Sequence, residues 1–131
     1  MTIEQYPTPE QMQSLLALPD EGPVVMVNLL RYKPAATAPD EGITGEEAYG
    51  RYVELMLEYI QARGARVIWS GRVEHQVIGT GGEGFHTIAL VEYPSRKAFF
   101  EIATSPYVQE IGTHRSAGLE GQWLIATATA A

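Results

Sequence analysis

Apolar residues recur along this chain with two different periods, and the changes between them lay out its elements. Thr8, Pro9 and Glu10 supply an N-cap, a first-turn proline and a dipole-matched acid ahead of Met12, Leu15 and Leu16 on one face, which predicts a short helix ending near Pro19. Pro23 then opens Val24-Val25-Met26-Val27-Asn28-Leu29-Leu30, a β-branched run suited to a central strand covered on both faces. Thr44 and Glu47 stand in the capping-box relation and start a long helix whose stripe is Ala48, Tyr52, Leu55, Met56 and Tyr59, with Gly64 as its left-handed stop. Residues 65–78 read as a long strand around Val67, Ile68, Trp69, Val73 and Val77, with Gly71 as a bulge. A glycine-rich turn at 79–84 leads into a strand from Phe85 to Tyr93, and the two strands should pair as an antiparallel hairpin. Pro94 stops that strand, and Ser95 caps a helix carrying Ala98, Phe99 and Ile102. Ser105-Pro106 caps another through Val108 and Ile111, and the last strand runs from Gln122 to Thr127.

Apart from the first helix the order is β-α-β-β-α-β. This split-βαβ pattern gives an α+β, ferredoxin-like domain: a four-stranded antiparallel sheet with helices on one face. The other face, rich in Val, Leu, Ile and Trp, needs a cover, and a second copy of the chain is the simplest one. At 131 residues and 45% hydrophobic the chain supports one core. The expected organisation is therefore a single domain over 1–131, with residues 1–22 as an N-terminal helical extension, working as a homodimer.

Composition narrows the chemistry. There are no cysteines, which removes thiol nucleophiles, thiolate metal ligands and disulfides and fits a reducing cytoplasm. Sixteen acidic residues against nine basic ones give a net charge of −7, which argues against nucleic acid or anionic lipid as partner. The N-terminus lacks a basic start and an apolar run, so neither export nor membrane insertion is expected. The glycines at 79, 81, 82 and 84 are followed by no Gly-Lys-Ser/Thr and no helix, so a turn is the reading and nucleotide binding is rejected. The histidines at 75, 86 and 114 lack short-range metal spacing, and neither a metal nor another cofactor is expected.

The candidate chemistry lies in Asn28 and Arg31 on or after the first strand, Tyr52 on the long helix, His86 on the third strand, and His114-Arg115 before the last, all bordering one helix–sheet cleft. Arg31 or Arg115 can grip a carboxylate or enolate, and His86 or His114 can exchange a proton near neutral pH. His114, Arg115, Asn28 and His86 are therefore the catalytic candidates, and Arg31, Tyr52, Trp69 and Tyr107 the substrate-binding ones. The structural alternative is that Asn28 satisfies neighbouring backbone, the histidines cap carbonyls, and Tyr49, Tyr52, Tyr59, Trp69 and Trp123 are core. The loop KPAATAPDEGI at 33–43 reads as a variable surface segment able to close over a site.

The segments PVVMVNLLRYK, ARVIWSGRV, HTIALVEYPSRKAFF and HRSAGLEGQWLI, with SPYVQE between the last two, resemble the domain-of-unknown-function family 1330. Phe85-His86 stands where that family often has a tryptophan and a polar residue, and the N-terminal helix is an extension that some members lack. The resemblance implies the dimeric α/β-barrel superfamily, whose members include cofactor-free monooxygenases, isomerases and cyclases of small organic molecules. It implies no single reaction; a non-catalytic homodimeric ligand-binding or structural module is equally compatible with it.

Overall fold

The sequence pattern is realised in a computed structural model that describes residues 2–130. In chain order its elements are α1 (Pro9–Ala17), β1 (Val24–Tyr32), α2 (Gly45–Gln61), β2 (Arg66–Arg72), a 3-10 turn (Gly82–Gly84), β3 (Thr87–Tyr93), α3 (Arg96–Ala103), α4 (Pro106–Gly118) and β4 (Leu119–Thr127). The strands form one sheet in the order β2-β3-β1-β4, every neighbouring pair antiparallel. This is the ferredoxin-like α+β architecture that the element order predicts. No helix among the described residues is long and apolar enough to cross a membrane.

The helix boundaries follow their caps. Thr8 and Thr44 each accept from the N3 amide while Gln11 and Glu47 reach back to the cap amide, closing two capping boxes. Ser95 and Ser105 cap α3 and α4. Gly64 takes φ 82° just beyond α2, where a side chain would be strained. Asp20, after α1, adds its carboxylate to the first amides of α3, at 2.9 Å from Arg96 N and 3.3 Å from Lys97 N.

Strand alternation sorts the two sheet faces. Val24, Met26, Leu30 and Val91 turn toward the helices and join cores that include Ile60, Phe99 and Ile102 on one side and Tyr49 and Leu119 on the other. The alternate residues face away, and no helix covers them. Across that open face, Trp69, Leu90, Val27 and Ile125 form one row spanning all four strands, and Ile88, Leu29 and Trp123 lie in the next. Trp69 is 54% and Ile125 49% exposed. The expectation that β1 is covered on both faces thus holds on the helix side only within one chain.

Three local expectations change. β2 ends at Arg72 rather than 78, because residues 73–86 leave the ladder after one further bond from Val73 N to His86 O, with Val77 and Ile78 left in solvent. The register shift falls between Val67 and Trp69, and Gly71 pairs regularly with Ile88. Gly71 instead makes room for the Trp69 indole, which a Cβ there would meet at 2.6 Å. The 33–43 loop is pinned: Lys33 N and Thr37 N donate to the Gly118 and Ala117 carbonyls at 2.8 and 3.0 Å, and Ala36 N donates to Ile43 O at 2.9 Å. Its residues Ala36 and Asp40 are buried against the body of the fold, while its first residues, Lys33 and Pro34, border an open cleft.

Candidate functional site

Helices α2 and α4 approach each other through glycine. A Cβ on Gly45 would lie 2.0 Å from Lys33 O, and one on Gly118 would lie 2.2 Å from Gly45 O and 2.6 Å from Tyr49 N. This close backbone contact fixes how α2 and α4 sit over the sheet, and it sets the directions of the tyrosines on α2 and of Arg115 on α4.

Arg115 turns toward the sheet. Its Nη2 donates to Gln122 Oε1 at 2.9 Å and to the Gln5 carbonyl. Gln122 Nε2 in turn donates to Asn28 Oδ1 at 3.3 Å, and Asn28 Nδ2 reaches the Met26 and Ala89 carbonyls at 3.4 and 3.3 Å. Register explains the alignment: Gln122 lies opposite Leu30 and Asn28 opposite Leu124, all on the helix-facing side.

Beside this chain stand the phenols of Tyr49, Tyr52 and Tyr93. Tyr49 and Tyr93 are more than nine-tenths buried, and none of the three hydroxyls is hydrogen-bonded to a described residue. Burial raises all three above the ordinary tyrosine range, Tyr49 and Tyr93 strongly. The Arg115 charge pulls Tyr49 and Tyr52 back down, and Tyr52 raises Tyr49 and Tyr93. At neutral pH all three remain protonated and can donate.

An aromatic series connects this interior to the surface. Tyr52 and Tyr49 have ring centroids 5.4 Å apart, Tyr49 and Tyr32 5.5 Å, and Tyr32 and His86 stack at 5.6 Å. Tyr32 donates its hydroxyl to Thr87 at 3.0 Å; burial raises it too, with the Thr87 bond opposing. His86 and Tyr32 line an open cleft of about 330 Å³ with Lys33, Pro34, Thr44 and Glu46. His86 Nδ1 accepts from Tyr32 N–H at 3.0 Å, so a neutral ring carries its proton on Nε2 and presents a donor.

Tyr52 and His86 thus lie on one aromatic series, and Asn28 and Arg115 on one hydrogen-bonded chain. The other four candidates lie on neither, which corrects the single-cleft expectation. His114 points away from Arg115, as the rotation of about 100° between successive helical residues requires. Its Nδ1 lies 2.7 Å from Asp40 Oδ2, and Asp40 Oδ1 accepts from Arg51 Nη1 at 2.6 Å. Arg31 alternates onto the open face and pairs with Glu120 at 2.9 Å. Trp69 is on the open face as well. Tyr107 stacks on Tyr59 at 4.8 Å, on the far side of the helical layer. Tyr59 also lines, with Arg63, Ala98, Glu101 and Ile102, a groove of about 420 Å³ that is larger than the His86 cleft.

Sequence reading missed Gln122, Tyr93 and Asp40. The first was signalled by its alternation with Trp123, which puts it on the same face as Asn28. Asp40 had no signal, since it reaches His114 through loop geometry alone. Among the described residues no group of three or more His, Cys, Asp or Glu is placed to hold a metal ion.

Comparison with known proteins places this geometry in a family without assigning it a reaction. The chain is 35% identical to RPA0582 of Rhodopseudomonas palustris, a protein of unknown function, over 99% of both chains with a TM-score of 0.88; the methylated form of that protein aligns at 36% identity over 100% of this chain and 98% of its own, also at 0.88. A dabb family protein with a ferredoxin-like fold from Mesorhizobium loti superposes at TM-score 0.56 and 14% identity, over 85% of this chain and all of its own. At that identity the likeness speaks for the fold only. No functionally curated protein matches. Residues 40–129 match the profile of the domain of unknown function DUF1330, and the chain belongs to that family.

Proposed function

We propose that this protein binds a small organic metabolite carrying a carboxylate or an enolisable carbonyl in the helix–sheet cleft and transforms it without a cofactor, as an isomerase, cyclase, lyase or monooxygenase. One observation carries the reading: the Arg115 guanidinium is held by Gln122, which is itself bonded to Asn28, while the Tyr52 and Tyr49 rings, whose hydroxyls have no partner among the described residues, continue through Tyr32 to His86 in the cleft. Donors fixed in a low-dielectric pocket stabilise charge that develops on a substrate oxygen, and they need no reorganisation to do so. Tyr49, Tyr52 and Tyr93 are held in the donating form, and His86 offers Nε2–H at the mouth. This favours chemistry that passes through an enolate-like oxyanion over chemistry that needs a strong base.

The functional unit in this reading is a homodimer, with the Trp69-Leu90-Val27-Ile125 row buried against its equivalent; a patch of this kind is rarely left in water by a soluble monomer. The cysteine-free composition suits a reducing cytoplasm. A second reading, a non-catalytic ligand-binding or structural dimer, is favoured by the side chains of Asn28 and His114, which both find partners within the fold.

A thermal-shift screen against small carboxylates and hydroxy-ketones, with each hit then incubated with the protein and its conversion followed by NMR, separates the two. A ligand at 100 times its Kd stabilises the native state by about 2.7 kcal/mol. The enzyme reading expects hits that survive His114→Gln and vanish in Arg115→Gln. Hits that are not converted, hits indifferent to Arg115→Gln, or none across the screen favour the module.

A further inference from the structure

The segment before α1 runs along β4 and the end of α4 and takes hold of the residue on which the proposed binding depends. Glu4 bridges to Gln122, with Gln122 N donating to Glu4 O at 2.9 Å. Gln5 Nε2 donates to the Leu119 and Ser116 carbonyls at 2.6 and 3.3 Å, and the Tyr6 hydroxyl lies 2.5 Å from Ser116 Oγ. The Tyr6 ring centroid is 5.3 Å from Arg115 Cζ. Ile3 rests on Gly121, where a Cβ would meet its side chain at 2.9 Å.

This strap lies on the surface. No residue from 2 to 10 is buried, its one ladder bridge to β4 is at Glu4, and its other bonds to β4 run from Gln5 to Leu119 and from the Trp123 indole to Thr2 O at 2.8 Å. Yet the Gln5 carbonyl sits on Arg115 Nη2, and Gln122 Oε1 sits on the same nitrogen. A guanidinium can grip a carboxylate along two edges, Nη1 with Nη2 or Nε with Nη2. Nη2 belongs to both edges, and its two hydrogens are already committed. A carboxylate therefore cannot take either edge of Arg115 until one of those oxygens withdraws. Gln122 is fixed within β4 and tied to Asn28, whereas the Gln5 carbonyl lies on the exposed strap.

The geometry points to residues 3–6 as a displaceable gate, in which the Gln5 carbonyl occupies the place of a ligand's carboxylate oxygen on Arg115 and leaves when a carboxylate binds. This inference rests on the reading of the cleft as an anion site and adds its regulation: access is limited by lifting the strap, and Gln5 sets the threshold.

The test is hydrogen exchange of the full chain with and without saturating benzoate, alongside benzoate titration of the wild type, Gln5→Ala and Arg115→Gln. Gln5→Ala removes two hydrogen bonds that hold the strap and leaves the guanidinium in place. Benzoate is expected to speed exchange at the Gln122 amide about fivefold or more, and Gln5→Ala to tighten benzoate binding by up to about tenfold, the scale of one net hydrogen bond. Binding that leaves the Gln122 amide unchanged or slowed, with equal or weaker affinity in Gln5→Ala, overturns the gate and leaves the anion site standing. Failure of benzoate to bind the wild type and Gln5→Ala, or equal binding by Arg115→Gln, overturns the site reading, and the gate with it.

Discussion

Replacing Asp40 by Asn should cost the fold more than a loop substitution ordinarily does, and only above acidic pH. The Asp40 carboxylate is 2% exposed, with Arg51 at 2.6 Å on one oxygen and His114 at 2.7 Å on the other. Burial by itself would raise its pKa; the hydrogen bonds from His114 and Arg51 outweigh burial and hold it below the ordinary carboxylate value. A hydrogen bond to a charged group contributes about 1.5–3 kcal/mol. Arg51 is half exposed, so its share is screened toward the surface-pair scale of at most about 1 kcal/mol. Asparagine can still accept from Arg51, but His114 must change tautomer to meet its amide. The expected loss is about 2–3 kcal/mol at pH 7, or roughly 6–15 °C in Tm for a chain of this length. The sign with pH follows from linkage. A depressed carboxylate pKa contributes stability that is fully present above the unfolded value near 4 and is lost as pH falls through the folded value. Urea unfolding followed by tryptophan fluorescence should therefore give a gap between wild type and variant at pH 7 that closes below about pH 4. A gap under about 0.5 kcal/mol at pH 7, or one that persists unchanged at pH 3, would refute the assigned role.

Two further predictions rest on packing. Gly118→Ala puts a methyl against the Gly45 carbonyl at 2.2 Å, where backbone rather than a flexible side chain must yield. It should lose about 3 kcal/mol or more in urea melts and perturb Tyr49, while Gly112→Ala, with open space around it, should be neutral or slightly stabilising. On the open face, Leu90→Lys sets a charge in the middle of the Trp69-Leu90-Val27-Ile125 row. Light scattering should show a dimeric wild type and a variant shifted toward monomer, and a monomeric wild type at micromolar concentration would contradict the proposed assembly.

Elements were legible wherever a local rule decides them. Thr44 with Glu47 marked the start of α2, Ser95 and Ser105 marked α3 and α4, and the β-α-β-β-α-β order was enough for the sheet. Tertiary choices were not legible. Nothing local says that β2 stops at Arg72, because Val73 and Val77 continue the apolar pattern into a loop whose backbone turns away. The site was half readable: Asn28, Tyr52, His86 and Arg115 carry chemistry and alternate onto connected faces. Grouping His114 with Arg115 ignored helical rotation, which sends neighbouring residues to different surroundings. The 33–43 loop, rich in proline and alanine, read as a variable surface segment because its anchors are the Ala117 and Gly118 carbonyls, which sequence does not display.

The central claim is that Arg115 and the phenols of Tyr49, Tyr52 and Tyr93 form one anion-binding space. It is tested most directly by tyrosine ¹³Cζ NMR of the full chain titrated with benzoate. The account predicts that the resonances of Tyr49, Tyr52 and Tyr93 move together and saturate in the wild type, stay still in Arg115→Gln, and do so while Tyr59 and Tyr107 remain fixed in both. Movement confined to Tyr59 and Tyr107 would place binding in the outer groove, and an unchanged spectrum would leave the interior phenols without the role assigned to them; either result contradicts the account.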